Sequence, residues 1–444
     1  MGVRLLQYSD VENAYDDPER IGRLAGTIAA RRNGDTAVVG TGDNTAPGVL
    51  ALTTGGRQAL SFFERIDPDF EVPGNHDFDH GLDRTRDLIA ASPQPWLCAN
   101  ARLDGDPFAG LDPAAIREVG GERLGFVGVL DPATPSITPE AASLEVTDPV
   151  DAVGEHAAVL RKRGADHVVV LSHLGEGDDD LARALDVDVV LGGHVHEERL
   201  DRIGGTLLTR PGATGRGLVE VELVDGRWRA TRHDVTEGPL DGAVAAALRE
   251  RREAAGLEEV VATAPEPIER SRPAITRGES PLGTIAAEAY RAAIGADVGL
   301  QNAGGIREGP ALAGEVTAAD LVGVVPFEEP VAIAEVPGAT LREVLAWLRP
   351  EAGDPSARAG YVAGASTEWS TGTLVGATVG GDPLDPGATY TLATSDYVLY
   401  TDREFPALEP THRVGTTDRA QYEILVEHAR EAGLDGRAVA GGEA

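Results

Sequence analysis

Five places in the chain set a metal-binding or proton-transferring side chain directly after an apolar run. Asp10 follows residues 5–9, and Asp43 follows residues 38–42. Asn75 and His76 follow Val72 in the run PGNHDFD. His173 follows residues 168–172, and His194 and His196 follow residues 189–193 in the run GGHVH. Carboxylate, amide and imidazole ligands in this mixture suit a pair of divalent cations. One carboxylate can bridge the two ions while His and Asn complete each sphere. A single strand-end Asp is commonly a cap or turn residue, and a single His commonly a structural one. The ordered set of five carries the inference.

Such side chains must be delivered by elements that end at a common edge. The apolar pattern predicts strands over 3–8 and 37–42, and near 70–72, 96–99, 124–130, 167–171 and 188–191. Helices are expected near 18–32, 59–65 and 148–163. Strands separated by helix-length segments argue a layered α/β domain, whose ligand crevice lies at the carboxyl ends of the strands. Gly42, Gly74, Gly192 and Gly193 would permit tight turns and close backbone approach there. From 206 to 232 the pattern becomes hairpin-like, with Asp225-Gly226 as a turn. A helix is expected over 241–256, and the proline-marked stretch 264–273 is the best candidate boundary. Beyond it, helices are expected near 281–294, 317–322 (capped by Thr317), 339–348 and 418–431. Strands are expected near 297–300, 331–336 and 390–393.

The composition sets bounds. A chain of 444 residues suggests two or three domains, and 42% hydrophobic with 25% charged residues is a foldable globular mixture. No apolar run approaches the ~18 residues of a membrane span, and no secretory signal is visible at the start. The single Cys98 excludes an internal disulfide and a cysteine-based zinc site. A net charge of −34 should repel nucleic acid polymers and anionic membranes. Lys162 is the only lysine; every other basic residue that is not a histidine is an arginine. Such a surface fits a salt-loving source, and equally a genome that favours arginine codons.

The order Asp10, Gly42-Asp43, Gly74-Asn75-His76-Asp77, His173 and Gly193-His194-Val195-His196 resembles the calcineurin-like metallophosphoesterase signature. The span GNHDFDHG resembles the 5′-nucleotidase branch, whose pattern is GNHEFD. In the second half, ESPLGTIAAEAY, ADVGLQNAGGIR and TAADLVGVVPFEEP resemble that family's C-terminal nucleotide-binding domain. The resemblance therefore spans nearly the whole chain. It implies a four-layer α/β/β/α metallophosphoesterase domain over 1–239, a helical linker over 240–264, and a second α/β substrate-binding domain over 265–444.

By the same resemblance, Asp10, Asp43 and His196 hold one metal, while Asp43, Asn75, His173 and His194 hold the other, with Asp43 bridging. His76 and Asp79 resemble the family's catalytic His–Asp pair, in which the carboxylate orients the imidazole and favours its protonated form. The family pattern at the first ligand is Asp-x-His, and here it reads Asp10-Val11-Glu12. Glu12 as an oxygen ligand would harden the site toward Mn²⁺ or Mg²⁺. In the second half, Arg307 of the GGIR run, with Arg272 and Arg277, matches phosphate-contacting arginines. Asn302 would brace that loop. Phe327 and Tyr397 match the two aromatics that sandwich a nucleobase. Two features depart from the pattern: Glu329 stands where Asn is usual, and YTDREF replaces a GGDG loop, with Asp402 as a stand-in for its Asp.

The expected activity is hydrolysis of nucleoside 5′-monophosphates by water activated between two divalent ions, Mn²⁺ first, with Mg²⁺, Co²⁺ or Zn²⁺ as alternatives. Hydrolysis of 2′,3′-cyclic nucleotides or of nucleotide-sugars would use the same residues. A binding protein that has lost turnover is the reading from another class. The expected partner is a small nucleotide or other phosphoester, not a nucleic acid polymer or a membrane. The oligomeric state is open, and a cytoplasmic place is expected.

Overall fold

The computed structural model describes residues 2–277, 280–348, 359–371, 373–400 and 404–434. They form two compact units, Met1–Ala255 and Gly256–Ala444. Among the described residues no helix is long and apolar enough to cross a membrane.

The first unit is built on two sheets. One runs in the order Arg227–Asp234, Gly217–Val224, Arg4–Tyr8, Thr36–Gly40. The other runs Arg199–Ile203, Thr206–Arg210, Val189–Gly192, His167–His173, Glu122–Leu130, Ala114–Val119. Successive side chains on a strand point to opposite faces, and the cores follow that period of two. Leu5, Val39, Phe126, Val169, Leu171, Val189 and Val219 meet in one cluster between the sheets. Their immediate neighbours Val127, Val168, Val170 and Val190 face the other way, onto Val153, Ala157 and Leu160 of the helix Pro149–Lys162. Tyr8 likewise turns away from Leu5 and meets Phe62 of the helix Ala59–Ile66 edge-on, ring centres 5.5 Å apart. Helix, sheet, sheet and helix thus form four layers.

The helix Gly242–Ala254 packs on the helix Pro18–Arg31, inside the first unit, and is not a free linker. Asp241 caps it by accepting from the amides of Ala243 and Val244, and Arg65 pairs with the same carboxylate. Arg249 reaches Glu19 at 3.0 Å. The proline-marked stretch is not a boundary either. Pro265 and Pro267 lie within the strand Val260–Ile268, which pairs with Leu312–Thr317. The register shifts between Ala264 and Ile268, where proline's missing donor costs the ladder little.

The second unit centres on a five-stranded sheet ordered Gly360–Ala363, Val298–Asn302, Thr389–Ser395, Pro330–Pro337, Arg413–Ala420. Val298 and Leu300 join Leu341, Val344 and Leu345 of the helix Gly338–Trp347 on one face. Gly299, between them, faces the helix Pro281–Ile294 so closely that a Cβ would sit 1.9 Å from the Ala287 carbonyl oxygen. Thr317 caps Ala318–Val322 through a reciprocal pair with Asp320.

Candidate active site

Strand register brings the first unit's chemical residues to one edge. Tyr8 is paired with Gly40, Leu130 with His173, and Ser172 with Gly192, so these strands end together. The Gln7 amide bridges the two sheets at that edge, donating to Gly192 O at 2.8 Å and to Thr41 Oγ1 at 3.1 Å. Two groups of donor atoms result, each lying within 4.8 Å of one another: Asp43, His173 and His194, and Asp10, Glu12 and His196.

The contacts hold these atoms in place. His173 Nδ1 donates to Thr41 O at 2.7 Å, which turns its Nε2 toward Asp43 Oδ2, 3.0 Å away. Asp10 accepts from Ser9 Oγ at 2.5 Å and from the His194 amide at 2.9 Å. Asp43 Oδ1 accepts the His76 amide at 2.8 Å. Glu12 Oε1 lies 2.8 Å from His196 Nε2. Between Asp43 and Gly74 there is no room for a side chain, since a Cβ on Gly74 would meet Asp43 Oδ1 at 2.2 Å. Asp10, Glu12, Asp43 and His194 all adopt positive φ, between 48° and 73°. Non-glycine residues pay for that conformation, of order 1–3 kcal/mol each, and it concentrates where function requires it.

The donor set fits metal ions. Asp10, Glu12 and Asp43 are buried, yet among the described residues no lysine or arginine pairs with any of them. Buried carboxylates without a fixed cation are costly, and a divalent ion supplies the missing charge. Asn75 is buried with its Oδ1 unpartnered, a free oxygen donor at the same edge. Protons carry the balance in the ion-free form. Burial lowers the basicity of His173, but Asp43 and Asp10 override it and push its pKa up to about 10. Burial raises Asp10 to about 7, with Asp43 and Glu12 adding to the effect. Burial and the charge of His173 hold His194 down, leaving a neutral imidazole able to ligate.

His76 stands beside this centre, its Nδ1 2.8 Å from Asp79 Oδ2. Burial works against its proton, but the Asp79 hydrogen bond and the charges of Asp43, Asp79 and Glu12 outweigh that and raise it to about 9. In the ion-free form this favours the imidazolium at neutral pH.

The structure adds residues that the sequence reading does not single out. Asp77 is fully surrounded, accepting from the amides of Asp43, Gly74 and Thr45 and from Thr45 Oγ1. Asp131 Oδ2 lies 3.5 Å from His194 Nε2. Below the His173 loop, buried Arg210 and Asp178 form an ion pair at 3.0 Å, and Ser172 Oγ donates to the same carboxylate at 2.5 Å.

In the second unit, Arg307, Phe327 and Tyr397 line a single cavity of about 260 Å³ with Asn302, Glu329, Ser395, Glu404 and Gln421. The Arg307 guanidinium lies over the Phe327 ring, 4.8 Å from its centre. Asn302 donates to Glu404 at 2.6 Å. The Ser395 hydroxyl is buried without a partner. Buried Arg270 donates to the carbonyls of Arg307 and Gly323 and so anchors the arginine loop. Arg272 begins the helix Arg272–Arg277 and is exposed; it does not line the cavity. The Arg277 side chain and Asp402 lie outside the described residues.

Residues 3–198 match the family described as calcineurin-like phosphoesterase, and residues 260–410 match the 5′-nucleotidase C-terminal domain. An endonuclease of Bacillus subtilis is 28% identical over 379 residues, covering 76% of this chain and 31% of that protein. A snake venom 5′-nucleotidase of Crotalus adamanteus is 33% identical over 148 residues, covering 32% of this chain and 25% of that protein. The matches thus span a third or less of these relatives' own lengths. The crystal structure of a 5′-nucleotidase precursor from Thermus thermophilus superposes with a TM-score of 0.69 at 21% identity, covering 97% of this chain and 96% of that one.

Proposed function

Because the chain belongs to the 5′-nucleotidase family of calcineurin-like phosphoesterases, we propose that it hydrolyses nucleoside 5′-monophosphates to nucleoside and phosphate. The observation that carries the reading is the meeting of two ligand groups with the His76–Asp79 pair at one strand edge. Asp10, Glu12 and His196 would hold one divalent ion, and Asn75, His173 and His194 the other, with Asp43 shared. Bound there, the ions supply Lewis acidity to the phosphoryl oxygens and make a water nucleophilic at neutral pH.

The chain's own residues do the rest. His76, kept cationic by Asp79, donates a hydrogen bond to a phosphoryl or leaving oxygen and offsets negative charge there. Asp77 keeps the loops of Asp43 and Asn75 in register. In the second unit, Arg307 takes an anionic oxygen, while Phe327 and Tyr397 offer faces for stacking, worth about 1–3 kcal/mol per base. Glu329 and Glu404 accept from sugar hydroxyls or base amino groups.

The endonuclease relative favours a second reading, phosphodiester cleavage by the same residues. One assay separates the two. Phosphate release is measured from AMP, GMP and UMP directly, and from UDP-glucose through an added phosphomonoesterase, with Mn²⁺, Mg²⁺, Co²⁺ or Zn²⁺. A chromogenic diester and 2′,3′-cAMP (coupled to a phosphomonoesterase) are run beside them. Turnover of nucleoside monophosphates well above the diesters supports the first reading. Preference for diesters supports the second. A folded, Mn²⁺-loaded protein inert on all of them is a binding protein.

A further inference from the structure

We propose that the two metal positions are chemically unlike, one selecting a hard ion and the other a borderline ion, so that the chain assembles a mixed-metal centre. The proposal rests on the reading of both groups as metal ligands and goes beyond it by separating them. The group of Asp10, Glu12 and His196 holds two carboxylates and one imidazole. The group of Asp43, His173 and His194 holds one carboxylate and two imidazoles, with the unpartnered Asn75 oxygen nearby. The first is oxygen-rich and carries the larger negative charge.

Glu12 makes the difference, and its place is built in. It is only 6% exposed and sits at φ 49°, a conformation a glutamate does not adopt without cause. Its amide is tied to Asp43 O at 3.1 Å, which fixes the backbone, and its carboxylate faces His196 at 2.8 Å. Nor does an arginine or lysine pair with it among the described residues. A carboxylate can bind through one or both oxygens, which favours the higher coordination numbers of Mn²⁺ and Mg²⁺. Two imidazoles favour Zn²⁺ or Co²⁺, because affinity rises toward the end of the divalent series most steeply with nitrogen donors. Replacing an imidazole by a carboxylate therefore splits the selectivity of two positions a few ångströms apart.

The test uses metal content. The full chain is stripped with a chelator, equilibrated with two equivalents of Zn²⁺ and an excess of Mn²⁺, desalted, and analysed by elemental mass spectrometry. Electron paramagnetic resonance then reads the bound Mn²⁺. Wild type is expected to retain one zinc and one manganese. Glu12→His should retain two zincs, its first position shifting toward Zn²⁺ by about tenfold or more. Glu12→Gln should keep the zinc and lose the manganese. Two zincs on wild type under the same competition overturn the proposal while leaving the two-metal reading intact. Retention of no metal at all overturns both. The wild-type measurement decides even if a variant does not fold.

Discussion

His76 remains an imidazolium up to about pH 9 in the ion-free protein, because Asp79 and Asp43 hold the proton that burial would remove. Cations bound at Asp43 and Glu12 would oppose that effect, so in the loaded enzyme its contribution should fade at a pH below that value. Asp79→Asn removes both the hydrogen bond and a charge, so the alkaline limb of the kcat profile should move to lower pH. The loss should be greater at pH 8.5 than at pH 6. His76→Ala should lower kcat by roughly 10²–10⁴ on the acid side of that limb and by less above it. An unmoved limb in Asp79→Asn would assign that carboxylate to structure alone. The strand-end rule that locates Asp10, Asp43, Asn75, His173, His194 and His196 in the sequence is purely local, and so it is legible. Asp131 obeys the same rule after the strand Glu122–Leu130, but Pro132 makes it read as a turn. The Asp178–Arg210 pair is invisible because its partners are distant in the chain.

At the scale of elements, strands with unbroken apolar runs were readable, and those interrupted by prolines or charges were not. The helix Pro281–Ile294 carries a Ser280 cap and a terminal Gly295, and its limits follow from them. The strand Val260–Ile268 passes for a linker because Pro265 and Pro267 sit at its irregularity. Residues 70–72 read as a third strand but form only isolated bridges, Val39 to Phe70 and Glu71 to Trp96. Glu71 in this segment is wholly buried, accepting from Tyr8 OH at 2.5 Å and Asn44 Nδ2 at 2.6 Å. Burial lifts its pKa from 4.5 to about 8, partly offset by those hydrogen bonds. A carboxyl raised on folding binds protons that the unfolded chain has released, so stability should fall as pH climbs from about 4.5 to 8. The slope from this group is about 1.4 kcal/mol per pH unit at most. Glu71→Gln, whose amide the Tyr8 hydroxyl can turn to accept from, should flatten that slope and be the more stable protein above pH 8. Urea midpoints at pH 6 and 8.5 measure it; parallel slopes in both proteins would refute the assignment.

For the whole molecule, a net charge of −34 means that folding gathers mutually repelling carboxylates. Screening should relieve part of that, so the Tm is expected to rise between 0.05 and 1 M KCl. A divalent ion should raise the Tm further and displace the proton on His173, which calorimetry in buffers of different ionisation enthalpy would register as proton release. A Tm that falls with KCl would mean that attractive pairs, such as Arg4 with Glu220, outweigh the repulsion. The lone lysine has a practical consequence. Lys162 ends the helix Pro149–Lys162 and is exposed. The chain then turns back into the strand His167–His173, which carries it to the opposite edge, about 20 Å away at ~3.3 Å per residue. Amine-reactive reagents thus meet one side-chain target on the far side of its sheet from His173. A dye, a surface or a support could be attached there through a single side chain, at the end of the strand away from His173.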